Sequence, residues 1–145
     1  MVLKILIVII TFLFMEFVAW FAHKYVMHGF LWFLHKDHHQ VDHNKKFQKN
    51  DYFFLIFAIP SILCFVYGAE NYSYLFFIGI GIVLYGLAYF IIHEIIIHRR
   101  LPPPSKTKNK YIIAIRKAHK IHHKNRNKEH CINFGMLIVP RKYFK

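Results

Sequence analysis

The spacing H-x4-H followed by H-x2-H-H occurs twice in this 145-residue chain, in the same order, and most of two long apolar runs lies between the copies. His23 and His28 precede His35, His38 and His39; His93 and His98 precede His119, His122 and His123. Two membrane crossings return a chain to the side it left. Both histidine sets therefore emerge on one face of a membrane and can meet. Chance placement does not repeat two spacings in order, so ten of the twelve histidines read as one functional array. His43 and His130 fall outside the repeat and read as ordinary polar residues.

The apolar runs set the fold class. Residues 2 to 22 have about the length needed to cross the hydrocarbon, interrupted by Glu16. A cleaved signal peptide is the rival reading, but the run is long and aromatic and leads into His23 without a small-residue cleavage site, which favours a retained first helix. Tyr52 to Gly68 is a second, shorter span with a kink expected at Pro60, and Asn50 and Asp51 are candidate N-caps ahead of it. Tyr74 to about Ile97 is a third, on which Gly79 and Gly86 share a face that admits a close neighbour. It has to end before Pro102, Pro103 and Pro104, which remove three successive donors. Tyr111 to His123 has helical period, while residues 131 to 140 are too short to span and either lie at the interface or cover a site. The expected protein is all-α and integral to the membrane, one domain over residues 1–145, with three or four transmembrane helices and a histidine-rich helical layer.

Composition agrees: 56% of residues are hydrophobic and 19% aromatic, against seven Asp and Glu. The net charge of +13 would suggest nucleic acid in a soluble chain. Here Lys and Arg fall almost entirely in residues 36–49 and 99–145, the positive-inside pattern, which puts the histidine boxes in the cytoplasm and Glu70 outside. Cys64 and Cys131 cannot form a disulfide framework or a cysteine-rich zinc site, so any metal is held by nitrogen and oxygen.

His35, His38 and His39 stand at i, i+3 and i+4, on one face of a helix. His23 and His28 are five apart, about 140° around an ideal helix, and converge only if the helix ends, tightens or bulges between them. Gly29 is placed to be such an end. Ten imidazoles exceed the needs of one ion, and two ions fit the count. Glu16 is costly in lipid and should face the bundle, with packing against a polar neighbour favoured over a hydrogen bond to a ligand histidine.

The segments AHKYVMHGFLWFLHKDHH, KND, YFIIHEIIIHRR and AHKIHHKNRNKEHCINFG, on this topology, resemble the fatty acid hydroxylase/sterol desaturase superfamily of membrane di-iron oxygenases. Within it the chain looks like the bacterial β-carotene hydroxylases, since AHKYVMHG and KEHCINFG match the carotenoid branch beyond the histidines. The resemblance implies two iron ions held by His23, His28, His35, His38, His39, His93, His98, His119, His122 and His123, and no separate protein acid or base is assigned. It implies O2 as co-substrate and hydroxylation of the β-ionone rings of β-carotene at C3, giving β-cryptoxanthin and zeaxanthin. It places the protein in the bacterial inner membrane with a carotenoid substrate in the bilayer. Electrons have to come from an external donor such as reduced ferredoxin, because the chain carries no dinucleotide fingerprint, P-loop or haem-attachment motif. Two departures stand out: Glu94 where the branch carries Asp, and His130 where it carries Gly. The first keeps the charge; the second leaves an extra ligand or an altered site rim open. Two alternatives stay open, another lipid oxygenase of the superfamily and a non-enzymatic membrane metal-binding protein.

Overall fold

A computed structural model of the protein describes residues 1–42, 45, 47–100 and 107–144, so His43 and Pro102 to Pro104 lie outside the described residues. All regular structure among the described residues is helical. Helix α1 (Val2–Phe21) continues without a break into a π-helical segment, Ala22–Phe30, and is followed by the short α2 (Trp32–His39). A 3-10 segment, Lys49–Phe54, leads into α3 (Leu55–Gly68). After a turn, α4 (Tyr74–Tyr89) continues as a second π-helical segment, Phe90–Ile97. Helix α5 (Lys110–Lys124) and a 3-10 turn, Arg141–Phe144, complete the order.

Three helical stretches, Val2–Phe30 with a kink at Gly29, Lys49–Gly68 and Tyr74–Ile97, are long and apolar enough to cross a membrane. Lipid offers the backbone no hydrogen bonds, so helices that satisfy their own amides are what such sequences form there. The protein is an all-α integral membrane protein with three spans among its described residues, and the basic α5 is not a fourth. The first span runs to Phe30, eight residues beyond the apolar stretch that marks it, and so carries His23 and His28 on its own end.

Helix α4 is central and packs on both α1 and α3. Its glycines make that possible. A Cβ on Gly79 would stand 2.9 Å from the Phe65 ring and one on Gly86 3.4 Å from Phe57, both on α3, whereas one on Gly81 would meet Thr11 of α1 at 2.7 Å. In lipid, close backbone approach of this kind replaces the hydrophobic drive that helices use in water. Between α1 and α4, Met15, Ala19 and Ile82 surround the fully buried Tyr85, while Phe14, Phe17, Ile59, Val66 and Leu87 face outward.

The start of the second span differs from the expected one. Gln48 is its N-cap, and Asp51 at the third helical position accepts a hydrogen bond from the Gln48 amide at 3.0 Å. Asn50 is thereby free to turn inward. Pro60 lies within α3, and the third span ends at Ile97, with Arg99 in the left-handed region at φ 56°. Helix α5 is capped by Asn109, whose Oδ1 accepts from the amides of Tyr111 and Ile112.

Candidate metal centre

His23 and His28 lie on the first π-helical segment, and His93 lies on the second with His98 as the residue that caps its end. The amide of His98 donates to the His93 carbonyl at 2.9 Å, and that of Leu31 to the Val26 carbonyl at 3.0 Å, each reaching back five residues instead of four. That widening returns a residue five positions on to the same side of the helix. The rings of His23 and His28 come within 5.2 Å and those of His93 and His98 within 4.5 Å, centroid to centroid. Of the three ways open to the sequence, the bulge is the one realised. Gly29 (φ −98°, ψ −123°) is where the chain leaves helical geometry to start α2.

Nine of the ten repeated histidines form two groups, within each of which ligand nitrogens lie within 4.8 Å of one another: His23, His28, His35, His39 and His122 in one, His38, His98, His119 and His123 in the other. The groups do not follow the two sequence copies. His122 joins four histidines of the first copy, and His38 joins three of the second. His93 packs on the second group, its ring centroid 4.5 Å from His98 and 4.8 Å from His119, outside the set of mutually close nitrogens.

The hydrogen bonds show which nitrogen is available. Nδ1 of His23, His28, His39 and His122 faces the carbonyl oxygen of Phe134 (3.0 Å), Lys128 (3.1 Å), Asn125 (2.9 Å) and Ile132 (2.8 Å) respectively. Nδ1 of His35 meets Asn50 Oδ1 at 2.5 Å, that of His38 meets Gln48 Oε1 at 2.8 Å, and that of His93 meets Glu94 Oε1 at 2.6 Å. Oxygens of this kind only accept, so each Nδ1 carries the proton and donates. The other nitrogen, Nε2, is then a bare lone pair. For His23, His35, His38 and His39 that Nε2 is buried with no partner among the described residues. Nε2 of His28 and His122 face each other at 3.2 Å, two lone pairs in contact. In the second group, His119 Nε2 is 2.9 Å from His98 Nε2 and 2.8 Å from His123 Nε2, and one ring proton serves at most one of these contacts well. Nitrogens about 2.0–2.1 Å from a shared ion sit roughly 3 Å apart. The donor set fits cations at both groups; all five rings of the first group, and His38 in the second, are built as metal-ligating histidines are, with the far nitrogen tied to an oxygen.

Burial also keeps the rings neutral. Loss of hydration, reinforced by repulsion from neighbouring rings, holds His35, His38 and His119 well below the ordinary imidazole value. It brings His39 to about 4 and His98 and His122 to about 3. Only the neutral ring ligates a metal.

The Asn50 and Gln48 side chains, the loop carbonyls and Glu94 complete the site. Glu94 accepts from His93 and is paired with Arg100 at 2.9 Å, which in turn meets Asp51 at 2.7 Å. The carbonyl acceptors could not be found in the sequence, because any residue type supplies the same oxygen. His130 lies outside both groups, exposed, at φ 62°, the backbone region that glycine favours. That conformation accounts for Gly as the residue expected there. Of residues 131–140, Ile132 and Phe134 lie against the site, their carbonyls accepting from His122 and His23. Among the described residues Glu16 bonds no histidine: it accepts from the Tyr85 hydroxyl at 2.6 Å and from the amides of Met136, Leu137 and Ile138, so the reading as a partner for polar neighbours is the correct one.

A cavity of about 960 Å³, at the upper end for ligand sites, runs along α3 and α4 between Phe57, Ser61, Val83 and Leu87 and reaches Met27 and Tyr89. A second, of about 10 Å³, lies among His23, His93, His119 and Phe134. Tyr89 lines both, with its ring 4.9 Å from His93.

The fatty acid hydroxylase family model matches residues 8–140 of the chain. This protein belongs to the fatty acid hydroxylase family. Hydroxylases are oxidoreductases, and an array of buried neutral imidazoles beside an apolar groove is the equipment of such an enzyme. The chain is similar to the β-carotene hydroxylase of Pantoea ananas, 39% identical over 135 residues, covering 93% of this chain and 77% of the relative. It is 36% identical over 138 residues to the β-carotene hydroxylase of Paracoccus sp. (strain PC1), covering 94% and 85%. It is also similar to a chloroplastic β-carotene 3-hydroxylase of Arabidopsis thaliana, 31% identical over 132 residues, which are 88% of this chain and 43% of that one. No solved structure matches the chain.

Proposed function

We propose that this protein hydroxylates β-carotene at C3 of its β-ionone rings, giving β-cryptoxanthin and then zeaxanthin, with O2 as co-substrate. The observation that carries this reading is the similarity to β-carotene hydroxylases over more than nine-tenths of the chain, which takes in both histidine groups. The ligands would be the ten histidines His23, His28, His35, His38, His39, His93, His98, His119, His122 and His123, and the metal two iron ions. Iron accepts imidazole and, unlike zinc, cycles in oxidation state, so when bound it supplies O2 activation.

The chain's own residues do the rest. The groove between α3 and α4 is lined by Phe57, Val83, Gly86 and Leu87 and suits an extended polyene entering from the bilayer. Its inner wall at Met27 and Tyr89 adjoins the histidine layer, so a ring seated there is held near the small cavity that His23, His93 and His119 face. The Nδ1 hydrogen bonds fix seven of these imidazoles, His23, His28, His35, His38, His39, His93 and His122, in the tautomer that leaves Nε2 open. Each hydroxylation consumes one O2, two electrons and two protons, one oxygen atom entering the ring and the other leaving as water. The electrons come from a ferredoxin-like carrier that is acidic, and the exposed Lys36, Lys124, Arg126 and Lys128 beside the histidine layer suit its approach from the cytoplasm.

Expression in a bacterial host that accumulates β-carotene tests the proposal. Chromatography should show mono- and then dihydroxylated carotenoid, formed only with O2 present. Untouched β-carotene beside hydroxylated sterol or acyl chains would assign the activity to another lipid oxygenase of the family.

A further inference from the structure

Four of the five histidines in the His23 group are held by one stretch of backbone. The carbonyls of Asn125, Lys128, Ile132 and Phe134 accept from His39, His28, His122 and His23 in turn, and only His35 relies on a side chain, Asn50. No carbonyl of this strap accepts from His38, His98, His119 or His123 among the described residues, and His38 is tied to Gln48 instead. By its hydrogen bonds the strap thus orients one group and not the other, although Phe134, Gly135 and Met136 also border the small cavity beside His119.

Its far end is anchored inside the bundle. Glu16, 7% exposed, receives the amides of Met136, Leu137 and Ile138 on one oxygen at 3.0, 2.9 and 3.1 Å, and the Tyr85 hydroxyl on the other. Three consecutive amides in an apolar bundle need an acceptor, and this carboxylate on the first span is the one present. The strap curls tightly to reach it: a Cβ on Gly135 would lie 2.7 Å from the Ile138 carbonyl oxygen. Tyr111 and Asn133 add further bonds to the strap, on its α5 side.

We propose that Glu16 is a positioning residue for the His23 group alone, holding the strap whose carbonyls orient His23, His28, His39 and His122. The proposal rests on the reading that both groups bind metal. Loss of the anchor frees the strap and loosens four rings of that group, while the His38 group keeps its geometry.

The test is zinc retention by the full-length protein in detergent, loaded with Zn2+ and challenged with rising chelator. Zinc is redox-inert, so turnover does not enter the readout. Wild type should hold two ions per chain. Glu16→Ala should weaken one of them by about 10–100-fold, the range seen when a partner behind a ligand is lost, and leave the other unchanged. Gly135→Ala, which leaves Glu16 intact but crowds the strap, should do the same, and Glu16→Gln, which keeps an acceptor oxygen, should recover most of the loss. Adding His98→Ala to Glu16→Ala should remove the remaining tight ion, whereas adding His39→Ala should not. Alkylation of Cys131, on the strap, in a Cys64→Ala background reads the anchor without metal and should accelerate in both anchor variants. Equal weakening of both ions, or unchanged retention with unchanged alkylation, overturns the proposal. Fewer than two ions in wild type would instead defeat the two-metal reading, and the alkylation rates would then decide the anchor, with no acceleration counting against it.

Discussion

His38 and His122 hold equivalent places in the two H-x2-H-H motifs, and each sits in the group built mainly by the other motif. The His38 ring lies 4.3 Å from His98, and the His122 ring lies 4.5 Å from His23, centroid to centroid. The crossing ties α2 to α5 through both groups, so neither group forms from one copy of the repeat alone.

Replacing either residue should therefore damage the group fed by the opposite motif. His38→Ala should release metal from the His98, His119 and His123 group, and His122→Ala from the His23, His28, His35 and His39 group. Each should lower carotenoid conversion by more than the roughly 10–100-fold that loss of an outer partner costs. Metal counts and product yield on membrane-inserted protein check both.

Acid should destabilise the metal-free protein. In the unfolded chain histidine takes up a proton near pH 6.5, whereas His39 resists until about 4 and His98 and His122 until about 3. These pKa values are depressed on folding, so the unfolded state binds protons first as pH falls. Stability is complete above pH 6.5 and declines below it, by about 1.4 kcal/mol per pH unit per ring at most. Melting temperatures in detergent should be flat from pH 8 to 7 and fall steadily from 6.5 towards 4.

Tyr89 stands between the large groove and the small cavity, so its ring should set how far a substrate ring advances. Tyr89→Phe keeps the ring and should keep the product pattern. Tyr89→Ala joins the two spaces and should give a broader set of hydroxylated positions, read by chromatography of the carotenoid extract.

Gly81→Val should loosen the contact of α4 with α1, because a Cβ there already meets Thr11 at 2.7 Å and the Val8 carbonyl at 2.9 Å. Overpacking of this kind costs about 1–3 kcal/mol, and a lower melting temperature in detergent would register it.

A single cysteine at Glu70→Cys, with Cys64 and Cys131 replaced, should react with a membrane-impermeant reagent from outside the cell. One at Lys124→Cys should react only after the inner face is opened. Labelling in the opposite sense would reverse the orientation that the Lys and Arg distribution implies.

The sequence by itself marked the three apolar spans while leaving a fourth open, brought the repeated histidines together on one side, and put Gly79 and Gly86 on a shared face of α4 that admits a close neighbour. Each follows from a local period or from apolar length, and none of the three needs a distant partner. The five-residue spacing of His23 with His28 and of His93 with His98 also called for a departure from the α-helix, though not which one. The tertiary structure decided the rest. That His38 and His122 cross between groups depends on how α2 and α5 approach, which no spacing within either helix encodes. That Glu16 serves the strap, and that carbonyls from Asn125 to Phe134 orient four imidazoles, could not be read because a backbone oxygen has no residue type, and because the buried acceptor and its amides lie 120 or more positions apart in the chain.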